Sequence, residues 1–106
     1  VICGDGKQTR DFISVRDVVQ ANLIALDPVC TGTYNVGTGE ETSVNTMTEC
    51  LIGISGKKIS AIHDSPRRGE QRRSVIDYKK FHESFGWKPK VSLEQGLIET
   101  YDFFKQ

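Results

Sequence analysis

The chain has 106 residues, room for one small domain. Its 14 Lys+Arg and 14 Asp+Glu cancel to a net charge of +0, which argues against a dedicated nucleic-acid or anionic-membrane binder, because such affinity rests on excess cationic charge. The composition, 37% hydrophobic and 26% charged, is that of a folded soluble protein with neither a secretory signal nor the roughly 18-residue apolar run of a membrane span, so a cytoplasmic protein is expected.

Val1–Cys3 reads as the end of an apolar strand, and Gly4-Asp5-Gly6-Lys7 as a turn whose glycines supply positive φ. An extended run follows over Arg10–Ser14. Ser14 is placed to cap a helix reaching about Leu26, with Asp17 in the capping-box position and Val15, Val18, Val19 and Leu26 on the buried side. Pro28 stops it. Thr33–Val36 is a short β-prone run ending in Gly37-Thr38-Gly39. Ser43 caps a second helix carrying Val44, Met47, Leu51 and Ile54, and Gly56 is a natural C-terminal stop.

Lys58–Ile62 reads as a strand, and residues 63–74 as a polar, cationic loop. Asp77 is predicted to cap a third helix, with Ile76 and Phe81 as a hydrophobic staple and Gly86 at its end. Ser92 and Gln95 form a further capping box, ahead of a last helix with the stripe Leu93, Leu97, Tyr101 and Phe104. The fold class is mixed α/β, with about four helices and few short strands, too few for a self-sufficient sheet.

Cys3, Cys30 and Cys50 are odd in number and widely spaced, matching neither a disulfide framework nor a metal site, and read as small structural thiols. His63 and His82 lack obvious partners. Neither glycine pair extends to Gly-x-Gly-x-x-Gly, and each reads as a turn rather than a phosphate cradle. Charge is unevenly spread. Residues 1–56 carry 3 basic and 7 acidic side chains, and residues 57–106 carry 11 and 7. Arg67, Arg68, Arg72 and Arg73 concentrate that excess. In Arg67-Arg68-Gly69-Glu70 a guanidinium fork suits phosphate oxygens, and a carboxylate three residues on suits vicinal sugar hydroxyls. The alternative is a solvated loop whose surface ion pairs contribute about 0–1 kcal/mol each. Arg10 divides in the same way, between a pair with Asp11 or Asp17 and a second phosphate ligand.

The run Gly4-Asp5-Gly6-Lys7-Gln8-Thr9-Arg10-Asp11-Phe12-Ile13, with Val15 and Asp17-Val18-Val19, resembles a segment of the extended short-chain dehydrogenases. Tyr34-Asn35-Val36-Gly37-Thr38-Gly39, Thr42-Ser43-Val44-Asn45, Pro66-Arg67-Arg68-Gly69-Glu70, Gly86-Trp87-Lys88-Pro89 and the run from Val91 to Leu97 follow in that family's order and spacing. The resemblance spans nearly the whole chain. It points to the C-terminal substrate-binding lobe of a Rossmann-type nucleotide-sugar epimerase or dehydratase, nearest the UDP-glucose 4-epimerase branch.

The resemblance implies that residues 1–106 are the nucleotide-sugar-binding portion of a protein, likewise homodimeric, whose NAD-binding Rossmann domain lies in a missing N-terminal part. Arg10 and Arg67 would clamp the diphosphate of a UDP-sugar, and Glu70 would bind the uridine ribose hydroxyls. Arg68 is a bystander, since many relatives have Pro there. Glu70 separates the chain weakly from the dTDP-glucose dehydratases, which tend to carry His. The family's catalytic Tyr-x-x-x-Lys pair and Ser or Thr are read as absent, so the chain alone is expected to be inactive. In the intact enzyme the implied reaction is oxidation at sugar C4, rotation of the 4-keto intermediate and re-reduction. A 4,6-dehydratase or decarboxylase of the same family, or a stand-alone binding module, are the alternatives.

Overall fold

A computed structural model describes residues 1–105. Among these residues four helices and four two-residue strands follow in the order β1 (Ile2–Cys3), β2 (Thr9–Arg10), α1 (Val15–Ala25), β3 (Thr42–Ser43), α2 (Val44–Ser55), β4 (His63–Asp64), α3 (Lys79–Phe85) and α4 (Leu93–Lys105). The strands form two minimal sheets. β1 pairs parallel with β4, Ile2 against His63, and β2 pairs antiparallel with β3, Thr9 against Ser43 and Arg10 against Thr42.

The helix ends follow the local chemistry. Ser14 has extended φ/ψ of −66° and 139°, and its side chain accepts from the Arg16 N–H at 3.2 Å. Ser43 Oγ accepts from Thr46 N at 3.1 Å, and Ser92 Oγ from Gln95 N at 3.1 Å. Gly56 and Gly86 close α2 and α3 in the left-handed region at φ of 67° and 73°. At α3 the cap position falls on Tyr78, which makes no side-chain bond; Asp77 Oδ1 accepts instead from Lys79 N at 2.9 Å. The side chain of Gln95 does not return to Ser92 and donates to Glu99 at 3.1 Å.

Several expectations are corrected. Thr33–Val36 is not a strand: its backbone joins no ladder, although Tyr34 and Val36 pack onto the core. Pairing with β1 falls on His63–Asp64, one residue beyond the expected Lys58–Ile62. Asp17 is no capping-box partner. It is buried, its Oδ1 and Oδ2 accept from Lys90 N and Val91 N at 3.0 and 3.1 Å, and its carbonyl accepts the Trp87 Nε1–H at 3.1 Å.

That tether also sets the rotation of α1. Each residue advances about 100° around a helix, so turning Asp17 and Ala21 inward points Val15 and Val19 outward. Val15, Val19, Leu23 and Leu26 are 71%, 47%, 56% and 79% exposed. The expected staple fails for a similar reason, since Ile76 lies against Gly37 while Phe81 is in the core. Phe104, expected on the buried stripe of α4, is exposed.

The core is small. Ala21, Phe81 and Trp87 are buried together, ringed by Ile13, Ile24, Cys30, Tyr34, Val36, Tyr78 and Phe85. Its rings meet at tilted and edge-on angles, Tyr34–Phe81 at 5.2 Å and Tyr78–Trp87 at 5.5 Å between centroids. α2 packs on α4. The three cysteines are free and half-buried. The radius of gyration is 16.1 Å, where a self-contained domain of this length would have about 13 Å. The accessible surface is 7765 Å² against about 5,900 Å² for a compact monomer of this mass. No helix among the described residues is long and apolar enough to cross a membrane.

Candidate functional site

The β1–β2 turn and the 66–72 segment enclose an open depression of about 270 Å³, lined by Gln8, Arg67 and Glu70 with Cys3, Asp5 and Arg72 among its walls. The two glycines of the turn sit at φ of 77° and 72°, as the turn reading requires. Gly4 N donates to Asp64 O at 2.8 Å, tying the turn to β4. The 67–70 loop closes through a Glu70 N to Arg67 O bond of 3.4 Å, with Gly69 at φ 76°.

Arg10 joins this loop from β2. Its Nη1 donates to Gln71 O at 2.8 Å and Thr9 O at 2.6 Å, and its Nη2 lies 3.4 Å from Glu70 Oε1. Arg10 is thus partnered by Glu70, not by Asp11 or Asp17. Gln8 approaches the same carboxylate oxygen, its Nε2 being 3.4 Å from Glu70 Oε1 and 3.1 Å from Cys3 O. Arg10 and Glu70 are brought together directly, and Arg67 shares the depression with Glu70.

The four-arginine cluster divides into two functional halves. Arg72 forms a bidentate pair with Asp5 at 2.8 Å per bond, and Arg73 a bidentate pair with Glu41 at 2.9 and 2.7 Å. The Arg72 fork, with help from the Lys7 N–H, holds the Asp5 carboxyl well below the usual range, and Arg73 with Thr9 Oγ1 lowers Glu41 to about 2. Arg67 and Arg68 are exposed and have no ion-pair partner among the described residues. Within this cluster, Arg67 and Arg68 are therefore the guanidinium groups left without a protein carboxylate.

Asp11, the neighbour of Arg10, is a hub that the sequence reading missed. Its Oδ1 accepts from Thr38 N at 2.9 Å and Thr38 Oγ1 at 2.6 Å, and its Oδ2 from Gly39 N at 3.0 Å and Ile76 N at 3.1 Å. Burial raises its pKa, but these bonds outweigh it and leave the carboxyl below its ordinary value. Gly37 is required beside it, because a Cβ there would stand 2.6 Å from Ile76 Cβ and 2.9 Å from Asp11 Oδ2.

The same geometry answers the question of a dinucleotide cradle. The Thr38 and Gly39 N–H groups are consumed by Asp11, and that turn does not open a helix. The Gly4–Gly6 turn leads into β2. Neither glycine pair fits NAD. One motif escaped the sequence reading: Tyr101 is followed four residues on by Lys105. Both lie at the end of α4, with Lys105 Nζ 6.0 Å from the centre of the Tyr101 ring and 4.0 Å from Asp102 Oδ1. The ammonium lies over the ring and beside the Asp102 carboxylate, so spacing alone does not make a catalytic pair here. His63 Nδ1 lies 2.7 Å from Gly4 O and His82 Nδ1 3.1 Å from Trp87 O, both serving the fold.

The mixed α/β fold of four helices and few short strands matches the C-terminal part of Rossmann-type epimerases and dehydratases. The fold matches the crystal structure of a Thermotoga maritima UDP-glucose 4-epimerase with UDP-glucose at a TM-score of 0.93 and 43% identity, covering 98% of this chain and 34% of that one. A Bacillus cereus UDP-glucuronic acid 4-epimerase, in complex with UDP-glucuronic acid and NAD, matches at 0.89 and 32%, covering 99% and 34%.

The family model described as GDP-mannose 4,6 dehydratase matches residues 1–100, and the chain belongs to this family of NAD-dependent nucleotide-sugar epimerases and dehydratases. The UDP-glucose 4-epimerase of Mycolicibacterium smegmatis is 40% identical over 105 residues, which are 98% of this chain and 34% of the relative. A dTDP-glucose 4,6-dehydratase and a GDP-6-deoxy-D-mannose reductase also match, at 32% and 35% identity. The chain spans about a third of the length of the relatives it matches.

Proposed function

We propose that residues 1–106 are the nucleotide-sugar-binding portion of an NAD-dependent UDP-sugar 4-epimerase, with Arg10 and Arg67 on the diphosphate and Glu70 on the uridine ribose hydroxyls. The observation that carries this reading is that Arg67 and Glu70 line one open depression and Arg10 reaches Glu70 from beside it, its Nη2 3.4 Å from Glu70 Oε1, while Arg67 has no counter-ion among the described residues. A planar guanidinium offers paired donors to phosphate oxygens, and an ionised carboxylate accepts from two vicinal hydroxyls. The ligands of the T. maritima and B. cereus structures, UDP-glucose and UDP-glucuronic acid, support a UDP-sugar.

In this reading the chain contributes anchoring and no chemical group. Fixing the diphosphate keeps the sugar in reach of the reacting centre while the hexose turns, the kind of positioning that lowers the entropic part of a barrier. NAD supplies redox chemistry at the sugar, from a site that lies mostly outside this chain. The large accessible surface and the uncovered α1 stripe support a portion that packs on further protein. We assign the longer protein a cytoplasmic, homodimeric state.

Calorimetric titration of UDP into the full-length protein tests the reading. Arg67→Ala is expected to weaken UDP by about 1–3 kcal/mol, on the order of a hydrogen bond to a charged group. Unchanged affinity removes Arg67 from the site. The dehydratase relatives favour a second reading, conversion to a 4-keto-6-deoxy sugar, which analysis of the sugar product separates from epimerisation.

A further inference from the structure

We infer that Gln8 is a positioning residue for ribose recognition: its side-chain amide sets the orientation of the Glu70 carboxylate. The inference rests on the proposed reading of Glu70 and adds to it a residue that acts only through Glu70. Gln8 and Asp17 are the two buried polar residues among those described, and Gln8 is 6% exposed. Asp17 spends its oxygens on the backbone of residues 90–91, far from the depression. Gln8 instead lines the depression and aims its amide nitrogen at Glu70.

The identity of the two amide atoms follows from the partners. Cys3 O and the Glu70 carboxylate are acceptors only, so the nitrogen must face both, one hydrogen to each at 3.1 and 3.4 Å. The backbone of Gln8 is pinned as well, since its carbonyl accepts from Val44 N at 3.0 Å at the start of α2. Gln8 and Arg10 Nη2 both address Oε1 of Glu70, each at 3.4 Å. Oε2 has no protein hydrogen bond among the described residues and is the oxygen left for a ligand hydroxyl. The two donors come from β2 and the residue before it, so the strand and the carboxylate are set as one unit. A carboxylate on an otherwise exposed loop would sample several rotamers, and ordering it beforehand spares that loss at binding.

Titrations of UDP and 2′-deoxy-UDP into the full-length protein test this, with Gln8→Met as the variant that keeps a flexible apolar filler and removes the donor. We expect UDP affinity to fall about fivefold, the worth of one net hydrogen bond, while 2′-deoxy-UDP binds as before. In a Glu70→Ala background the Gln8→Met change should leave the ratio of the two affinities unaltered. Gln8→Asn, which keeps the amide but withdraws it by one methylene, should behave like Gln8→Met and serves where the latter does not fold. Equal losses for both nucleotides, or no loss for either, overturn the inference and assign Gln8 to the fold alone. If Glu70→Ala leaves discrimination between the nucleotides intact, the ribose reading of Glu70 falls and the inference with it. If Glu70→Ala abolishes discrimination and both Gln8 variants preserve it, the inference alone falls.

Discussion

Replacing Asp11 with Asn changes almost no volume and tests whether one carboxylate holds three segments together. The side chain accepts from Thr38 N and Oγ1, Gly39 N and Ile76 N at 2.6–3.1 Å. An amide can keep the two bonds from Thr38 through its oxygen, but its NH2 then faces the Gly39 and Ile76 N–H groups, donor against donor. Hydrogen bonds to a charged acceptor are worth about 1.5–3 kcal/mol each, and the remaining pair loses its charge assistance. The site is half-buried, so water compensates in part, and about 2 kcal/mol is the expected loss.

Amide hydrogen exchange of peptides covering residues 37–39 and 75–77 reads this directly, because local opening energies set protection. A loss of about 2 kcal/mol accelerates exchange there about 30-fold. The pH profile carries a sign. Asp11 is depressed below 3.8, so its contribution is fully present above that value and disappears as pH falls through the folded-state pKa. Wild type should therefore lose protection at these amides below pH 4, and Asp11→Asn should show no such step. Unchanged exchange in the variant at neutral pH would refute the hub.

Gly37→Ala should destabilise by about 1–3 kcal/mol through crowding of Ile76 and Asp11, seen as faster exchange of the same peptides. The 106-residue chain on its own should self-associate or melt broadly, because Val15, Val19, Leu23 and Leu26 form an uncovered apolar stripe. Sedimentation velocity and thermal melting check this, and a clean monomer with a sharp transition contradicts it. Arg73→Ala should leave the midpoint of a urea titration unchanged, since its pair with Glu41 is exposed and screened by solvent, and a clear shift of that midpoint would contradict this.

Features with a local cause were legible in the sequence. Ser14, Ser43 and Ser92 cap helices because a short hydroxyl reaches an N–H two or three residues on, and Gly56 and Gly86 stop helices because only glycine turns left-handed without strain. Arg67 and Glu70 were placed on one loop by their spacing. What stayed hidden depends on residues far apart in the chain. The charges of Arg72 and Arg73 are cancelled by Asp5 and Glu41, 67 and 32 positions away. Asp17 looks like a local cap until Lys90 and Val91 deliver their N–H groups to it. Hydrophobic spacing showed that α1 has an apolar face but could not show that this chain leaves it uncovered. The pairing of β4 was set by β1 and not by propensity, which is why it fell beyond the Lys58–Ile62 run.

The central claim is that Arg10, Arg67 and Glu70 hold a nucleotide sugar. A crystal structure of the full-length protein with UDP-glucose tests it most directly. The expected result is a diphosphate within about 3 Å of the Arg10 and Arg67 guanidinium groups, with ribose hydroxyls donating to Glu70. A UDP-glucose bound elsewhere, with Arg67 in solvent and no ribose hydroxyl on Glu70, would contradict it.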